Sequence, residues 1–306
     1  MSDPASENIT RVGRPVQITL EIPNPRLALV GIVAVIALAG AVLGGLHLTA
    51  APAAHTGASQ PLPTAPPDIQ PAGWTQTFAD TFDGATRDDR LWMDAYPGGL
   101  RTHGNNEQQF YAPHAVTLSN GHLRLTADRN VSGAGMPYTS GMITSYGRFA
   151  QRYGWFEMRA RLPAGRGLWP AFWLLPENRS WPPEVDILEA VGQEPSFLLF
   201  THHWGDTPAH HEWRAEKLTG PDLSADFHVF ALNWEPDRLV WYVDGVERHR
   251  VTDHVPQTPM FVLANLAVGG DLPGSPDATT AFPATLEVDY IRVFRKTKGV
   301  APTLLP

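Results

Sequence analysis

The 306-residue sequence has no cysteine, which excludes disulfide frameworks, zinc–thiolate centres and thiol nucleophiles. Charge is sparse: Asp, Glu, Lys and Arg make up 18% of the chain against 43% apolar residues, a balance that excludes a solvated disordered chain. The net charge of -8 is spread along the sequence, and no run of Lys or Arg forms a nucleic-acid footprint. Nucleic acid is therefore not an expected partner. Lys and Arg are absent altogether between Arg26 and Arg87, and long helical periodicity is missing after Gly73.

What fills part of that uncharged gap is Leu27 to Leu46, an apolar stretch of roughly the 20 residues a helix needs to cross a hydrocarbon core. Arg11, Arg14 and Arg26 precede it, so the positive-inside rule keeps the N-terminus cytoplasmic and sends the remainder across. The expected layout is a cytoplasmic segment at 1–26, a transmembrane signal-anchor at 27–47, a Pro/Ala-rich tether at 48–72, a folded domain at 73–297 and a tail at 298–306. The folded domain is then periplasmic or otherwise extracytoplasmic. Cleavage after Ala-Pro-Ala at 51–53, releasing a secreted protein, is the alternative. A buried core helix is a third reading, which the lack of a polar face disfavours.

From Gly73 onward, short apolar or alternating runs are bounded by Gly, Pro, Asn and Asp, an all-β signature. In Trp155 to Leu162, Phe156, Met158, Ala160 and Leu162 share one face, and Glu157, Arg159 and Arg161 the other. Leu123, Leu125 and Ala127 alternate with polar neighbours directly after Asn120-Gly121, a dipeptide suited to a two-residue hairpin turn. Asp244-Gly245 separates Leu239 to Val243 from Val246 to Val251 in the same way. Further strands are expected at Phe197 to Thr201, His228 to Trp234, Met260 to Ala267 and Leu286 to Phe294. Roughly nine or more strands in one domain point to two packed antiparallel sheets, a β-jelly-roll sandwich.

The run Trp181-Pro-Pro-Glu-Val-Asp-Ile-Leu-Glu-Ala190 sets three carboxylates in an otherwise apolar, strand-like segment. Glu184 and Asp186 point to one face by the period of two. Glu189 returns to that face only if one extra residue is inserted between Asp186 and Glu189, so the spacing predicts a β-bulge. Cleaving a glycosidic bond with retention needs two carboxyl groups about 5 to 5.5 Å apart, one attacking the anomeric carbon and one protonating the leaving oxygen. Asp186, lying between, can hydrogen-bond Glu184. Crowding raises the pKa of whichever acid stays protonated, expected to be Glu189. The competing reading is a solvent-facing acidic stripe that guards an edge strand against aggregation. Trp155, Trp169, Trp173, Trp181 and Trp204 weigh against it, because sugar rings stack on aromatic faces. By alternation Trp169, Ala171 and Trp173 share a face, either groove or core.

With these residues the sequence resembles glycoside hydrolase family 16, the laminarinase-like enzymes. Glu184-Val-Asp-Ile-Leu-Glu189 looks like that family's bulged signature. Tyr153 to Leu162, Gly167 to Leu174, Asn265 to Gly270, Val288 to Phe294 and Gly104-Asn-Asn-Glu-Gln-Gln-Phe-Tyr111 are similar to family blocks in the same order. The resemblance implies a β-jelly roll and a retaining mechanism, with Glu184 as nucleophile, Asp186 as its assistant and Glu189 as acid/base. It also implies Asn106, Trp169, Trp173, His203 and Asn265 as groove residues. Trp181-Pro-Pro-Glu with Thr201-His-His-Trp204 is most similar to members that cut bacterial exopolysaccharides such as succinoglycan. Asp289 matches a structural calcium ligand of many members, although Asp80-Thr-Phe82 lacks the carboxylate that an Asp-Glu-Phe triplet would add.

His202-His203 and His210-His211 lack metalloprotease spacing, so no catalytic metal or other cofactor is expected. His203 is expected to donate to substrate or to Glu189, with a purely structural histidine as the alternative. Gly269-Gly270 with Pro273-Gly274 lacks the Lys-Ser/Thr of a phosphate loop and reads as a flexible loop, with a groove wall as one role for it. The combined expectation is an endo-acting β-glucan or exopolysaccharide hydrolase, with a polysaccharide and, through the N-terminal helix, a membrane as its partners. Its rivals are a transglycosylase remodelling the same glycan and a non-catalytic, lectin-like sandwich, which has no use for a matched nucleophile and acid.

Overall fold

The computed structural model describes residues 73–102, 104–129 and 135–297. The expected membrane segment at 27–47, the tether at 48–72 and the tail lie outside the described residues. Among the described residues, no helix is long and apolar enough to cross a membrane. In chain order the strands are β1 (Trp74–Asp80), β2 (Gln109–Tyr111), β3 (Val116–Ser119), β4 (His122–Ala127), β5 (Tyr138–Ser140), β6 (Met142–Thr144), β7 (Gly154–Arg161), β8 (Leu168–Pro176), β9 (Glu184–Glu189), β10 (Phe197–Trp204), β11 (Glu212–Thr219), β12 (His228–Glu235), β13 (Arg238–Val243), β14 (Val246–Val251), β15 (Met260–Val268) and β16 (Ala284–Lys296).

Fourteen of them form two antiparallel sheets, as the alternation predicts, and β2 and β5 pair with each other in parallel. The first runs β14-β13-β12-β7-β16-β4-β3, with β1 also along β16; the second runs β11-β10-β9-β8-β15-β6. Both expected hairpin turns are present. Ser119 pairs His122 across Asn120 and Gly121, and Val243 pairs Val246 across Asp244 and Gly245. All four turn residues have positive φ, between 52° and 76°, the backbone that matches strand twist.

Between the sheets lies one core. Phe156, Met158 and Ala160 of β7 meet Val185 and Leu188 of β9, together with Phe172, Phe200, Phe230 and Trp241, all essentially inaccessible to water. Each such side chain contributes about 1.5–3 kcal/mol by leaving water. The core-facing half of β9 therefore fixes its other face outward. Trp155 lies on the wrong sheet for a groove role: on β7 it points out from the first sheet, with its indole on Glu157 at 2.7 Å.

Asp289 on β16 differs from the calcium expectation. Its carboxylate holds Arg159 at 2.6 Å and faces His122 at 3.6 Å, while Asp80 accepts from the Trp92 indole and the Phe82 amide, each at 2.8 Å. Calcium takes oxygen ligands, whereas a guanidinium and an imidazole surround Asp289. The residues present do not fit the ion.

Candidate active site

The outer face of the second sheet carries the three acids. On β8, Ala171, Phe172, Trp173 and Leu174 pair with Glu189, Leu188, Asp186 and Val185, which leaves Ile187 as an extra residue. β10 shows the same slip, with Leu199 opposite Glu189 and Thr201 opposite Asp186. This is the expected bulge, and it returns Glu189 to the face of Glu184 and Asp186. Trp241, from β13 of the other sheet, crosses the core and donates its indole N–H to the Asp186 carbonyl at 2.9 Å.

Each acid has its own partners. The Trp181 indole donates to Glu184 Oε2 at 2.6 Å. Asp186 shares a side-chain hydrogen bond with Glu184, and its Oδ2 lies 3.1 Å from His203 Nε2. Glu189 accepts from the Trp169 indole at 3.2 Å and the Thr201 hydroxyl at 3.0 Å. Burial, then the charge of Glu189, pushes Asp186 well above the usual carboxylate range. Burial likewise raises Glu189. Burial thus raises both residues, not Glu189 alone as the sequence suggests, and like charge adds to it at Asp186.

A pH effect follows if Glu189 delivers a proton. Its raised pKa keeps the acid protonated at pH values where an ordinary Glu is ionised, so activity is lost as pH rises through that raised value. The alkaline limb of kcat is expected clearly above the ordinary Glu value of 4.5. A limb at or below 4.5 in a rate–pH series removes Glu189 as the acid.

The other expected residues divide. Trp169 stands beside Glu189, and Gly270, at φ 110°, lays its backbone on the indole; a Cβ there would sit 2.9 Å from the ring. The Gly269-Gly270 segment is thus packed at the acids' flank, as a wall. Asn106 is exposed and anchored to Asp271 at 2.7 Å in the adjoining loop. Trp173 and Asn265 share the acids' face but are buried. Asn265 accepts from the Trp173 indole at 2.7 Å and donates to the Tyr111 hydroxyl at 3.0 Å, so this pair is a floor beneath the acids. His203 approaches Asp186 instead of Glu189. Period-two alternation splits the histidine pair: His202 turns to the opposite face, within 2.9 Å of the His254 carbonyl, and Trp204 stacks on the His254 ring.

Thr201 and His211 were not expected at the site. Thr201 had a signal, since it alternates with His203 on β10, directly across from the acids. His211 had none, because a loop places it. Trp213 on β11 pairs with His203 and therefore shares its face, 60% exposed.

A bulged strand with three acids and an indole on each glutamate, set on one sheet of a β-sandwich, supplies the paired carboxyl groups that cleavage of a glycosidic bond uses. Residues 103–292 match the family described as Glycosyl hydrolases family 16. The chain is 36% identical over 245 residues to endo-1,3-1,4-beta-glycanase EglC of Rhizobium meliloti (strain 1021), covering 72% of this chain and 51% of that protein. It is 35% identical over 248 residues to a beta-glucanase of Rhodothermus marinus, covering 72% and 85%. The laminarinase catalytic domain of Thermotoga maritima MSB8 superposes with a TM-score of 0.66 at 33% identity, covering 74% of this chain and 99% of that one. The chain belongs to glycosyl hydrolase family 16. It spans about half the length of EglC.

Proposed function

We propose that this chain is a retaining endo-β-glycanase acting on a β-1,3 or mixed β-1,3-1,4 glucan or a related bacterial exopolysaccharide. The observation that carries this reading is the bulged β9, with Glu184, Asp186 and Glu189 on one face. Glu184 attacks the anomeric carbon while Glu189 gives its proton to the departing glycosidic oxygen, and a glycosyl–Glu184 ester forms. Glu189, now a carboxylate, takes a proton from the incoming water. That water's oxygen bonds to the anomeric carbon, the ester bond breaks, and the configuration is retained. Asp186 orients Glu184 by its hydrogen bond. The names of the Rhizobium and Rhodothermus relatives support a β-glucan as the substrate.

The test is a panel of laminarin, lichenan and a succinoglycan-type polysaccharide, with product sizing and anomer-resolved NMR. Short oligosaccharides that appear first as β-anomers are expected. Products longer than the substrate support the transglycosylase instead, and binding without cleavage supports the lectin-like sandwich.

Trp213 extends the site to the edge of the sheet as a platform for a sugar ring, on the strength of its exposure and its place beside His203. Trp213→Ala is expected to raise KM for polymer with kcat preserved, by roughly 5- to 160-fold on the 1–3 kcal/mol scale of a pocket contact. Unchanged KM on the longest substrate removes the platform. The domain at 73–297 is further proposed to be held outside the membrane by residues 27–47, a reading supported by Arg11, Arg14 and Arg26. Recovery of the full chain in the soluble fraction argues against it.

A further inference from the structure

The loop joining β10 to β11 turns back sharply. Gly205 has φ 140°, and a Cβ there would collide with the His210 carbonyl, so the reversal depends on a residue without a side chain. A 3-10 turn at Pro208–His210 follows and delivers His211 to the acids' face. His211 Nε2 lies 2.8 Å from His203 Nδ1, with the two rings near parallel at 18°. The other side of the His211 environment is Trp181, whose ring centroid is 4.5 Å away.

Both neighbours lead to the same atom group. Trp181 donates to Glu184 Oε2 at 2.6 Å. His203 Nε2 lies 3.1 Å from Asp186 Oδ2, and Asp186 bonds to Glu184. A neutral imidazole carries one N–H, so the partner on one nitrogen decides what the other can do. In a neutral His203 whose Nε2–H is given to Asp186 Oδ2, the Nδ1 atom is left as an acceptor. His211 Nε2 must then supply the hydrogen.

We propose that His211 is a positioning residue for the nucleophile: its Nε2–H fixes the His203 tautomer that donates to Asp186, and its ring sets the pose of the Trp181 indole on Glu184. The proposal rests on the reading of Glu184 as the nucleophile. The titratable group in contact with His211 is His203, through which it reaches Asp186; on its own side Glu212 follows on β11 opposite Trp204, and His210 and Asp206 pair with each other at 3.0 Å, in solvent. Burial lowers the proton affinity of His211, which suits a neutral donor.

Three variants separate the two contacts. His211→Phe keeps a ring against Trp181 but removes the donor, His211→Gln keeps an N–H donor without the ring, and His211→Ala removes both. On the full chain, His211→Phe is expected to lower kcat roughly 10- to 100-fold, the scale of losing an orienting hydrogen-bond partner, with KM nearly unchanged. His211→Gln recovers much of that loss, and His211→Ala is the slowest. Nitrogen-15 shifts of the imidazoles give a readout independent of turnover. His203 is expected as the Nε2–H tautomer in the parent and in His211→Gln, and as a mixture in His211→Phe. An Nδ1-protonated His203 in the parent overturns the proposal, as does His211→Phe with parental kcat and pH profile. If Glu184→Gln is inactive in that same series, the nucleophile reading survives the failure; if Glu184→Gln also turns over fully, that reading falls with it.

Discussion

Glu184→Gln is expected to lower turnover by roughly 10⁴- to 10⁶-fold, the range lost when one member of a covalent catalytic unit is removed. The amide has nearly the carboxylate's shape, and its oxygen still accepts the Trp181 N–H, so the site should stay assembled and KM should change little. What disappears is the lone pair able to form the glycosyl ester. Glu189→Gln acts differently. Loss of the acid costs roughly 10²- to 10⁴-fold, and the deficit shrinks for aryl glycosides whose leaving group needs no proton. The same substitution tests the electrostatics. Burial raises the folded pKa of Glu189, so the folded state holds more protons than the unfolded chain, and stability falls as pH rises from the ordinary value toward the raised one. A neutral amide avoids that cost, so Glu189→Gln should be slow yet melt higher than the parent at pH 7. Full turnover by Glu184→Gln on polymer and aryl substrates alike sinks the assignment.

The fold was legible wherever one face of a strand meets the core. β7, with Phe156, Met158 and Ala160 inside and Glu157, Arg159 and Arg161 outside, lies within a residue of its expected span, and both Gly-containing hairpin turns are in place. β11 was not expected, for a physical reason. It is the edge of the second sheet and nearly all of Glu212–Thr219 is exposed, so no apolar alternation marks it; its charges suit an unpaired edge. The acids and their bulge were legible because an odd offset between same-face carboxylates requires an extra residue. Partners that arrive from elsewhere were not. Trp241 crosses from the other sheet, and His211 depends on a turn around Gly205, contacts that no local period encodes. Alternation puts Trp173 on one face with Trp169 and leaves groove or core open, and Asn265 is a groove residue by the resemblance alone; depth depends on Tyr96 and Tyr111, which pack with Trp173 in a second hydrophobic cluster.

Trp241 is the position where stability and catalysis should separate most clearly. It is fully buried among core residues, and its indole N–H meets the Asp186 carbonyl, on the residue immediately before the bulge. Trp241→Ala removes a large core side chain and is expected to cost about 3–5 kcal/mol, which at about 2–4 °C per kcal/mol for a domain of this size lowers Tm by roughly 6–20 °C. Trp241→Phe is the sharper experiment. It keeps most of the packing and deletes the donor, with an expected cost of about 1–3 kcal/mol for the carbonyl left behind. At 25 °C this variant should remain folded, so lost population cannot account for a fall in kcat. A fall is nonetheless expected, because β9 presents Glu184 and Glu189 from opposite sides of the bulge, and a shift of 1 Å in such a pair costs up to about 10²-fold. Retained kcat with a lowered Tm means that pairing to β8 and β10 holds the bulge unaided. An unchanged Tm means that the Asp186 carbonyl finds another donor, and the indole is then packing alone.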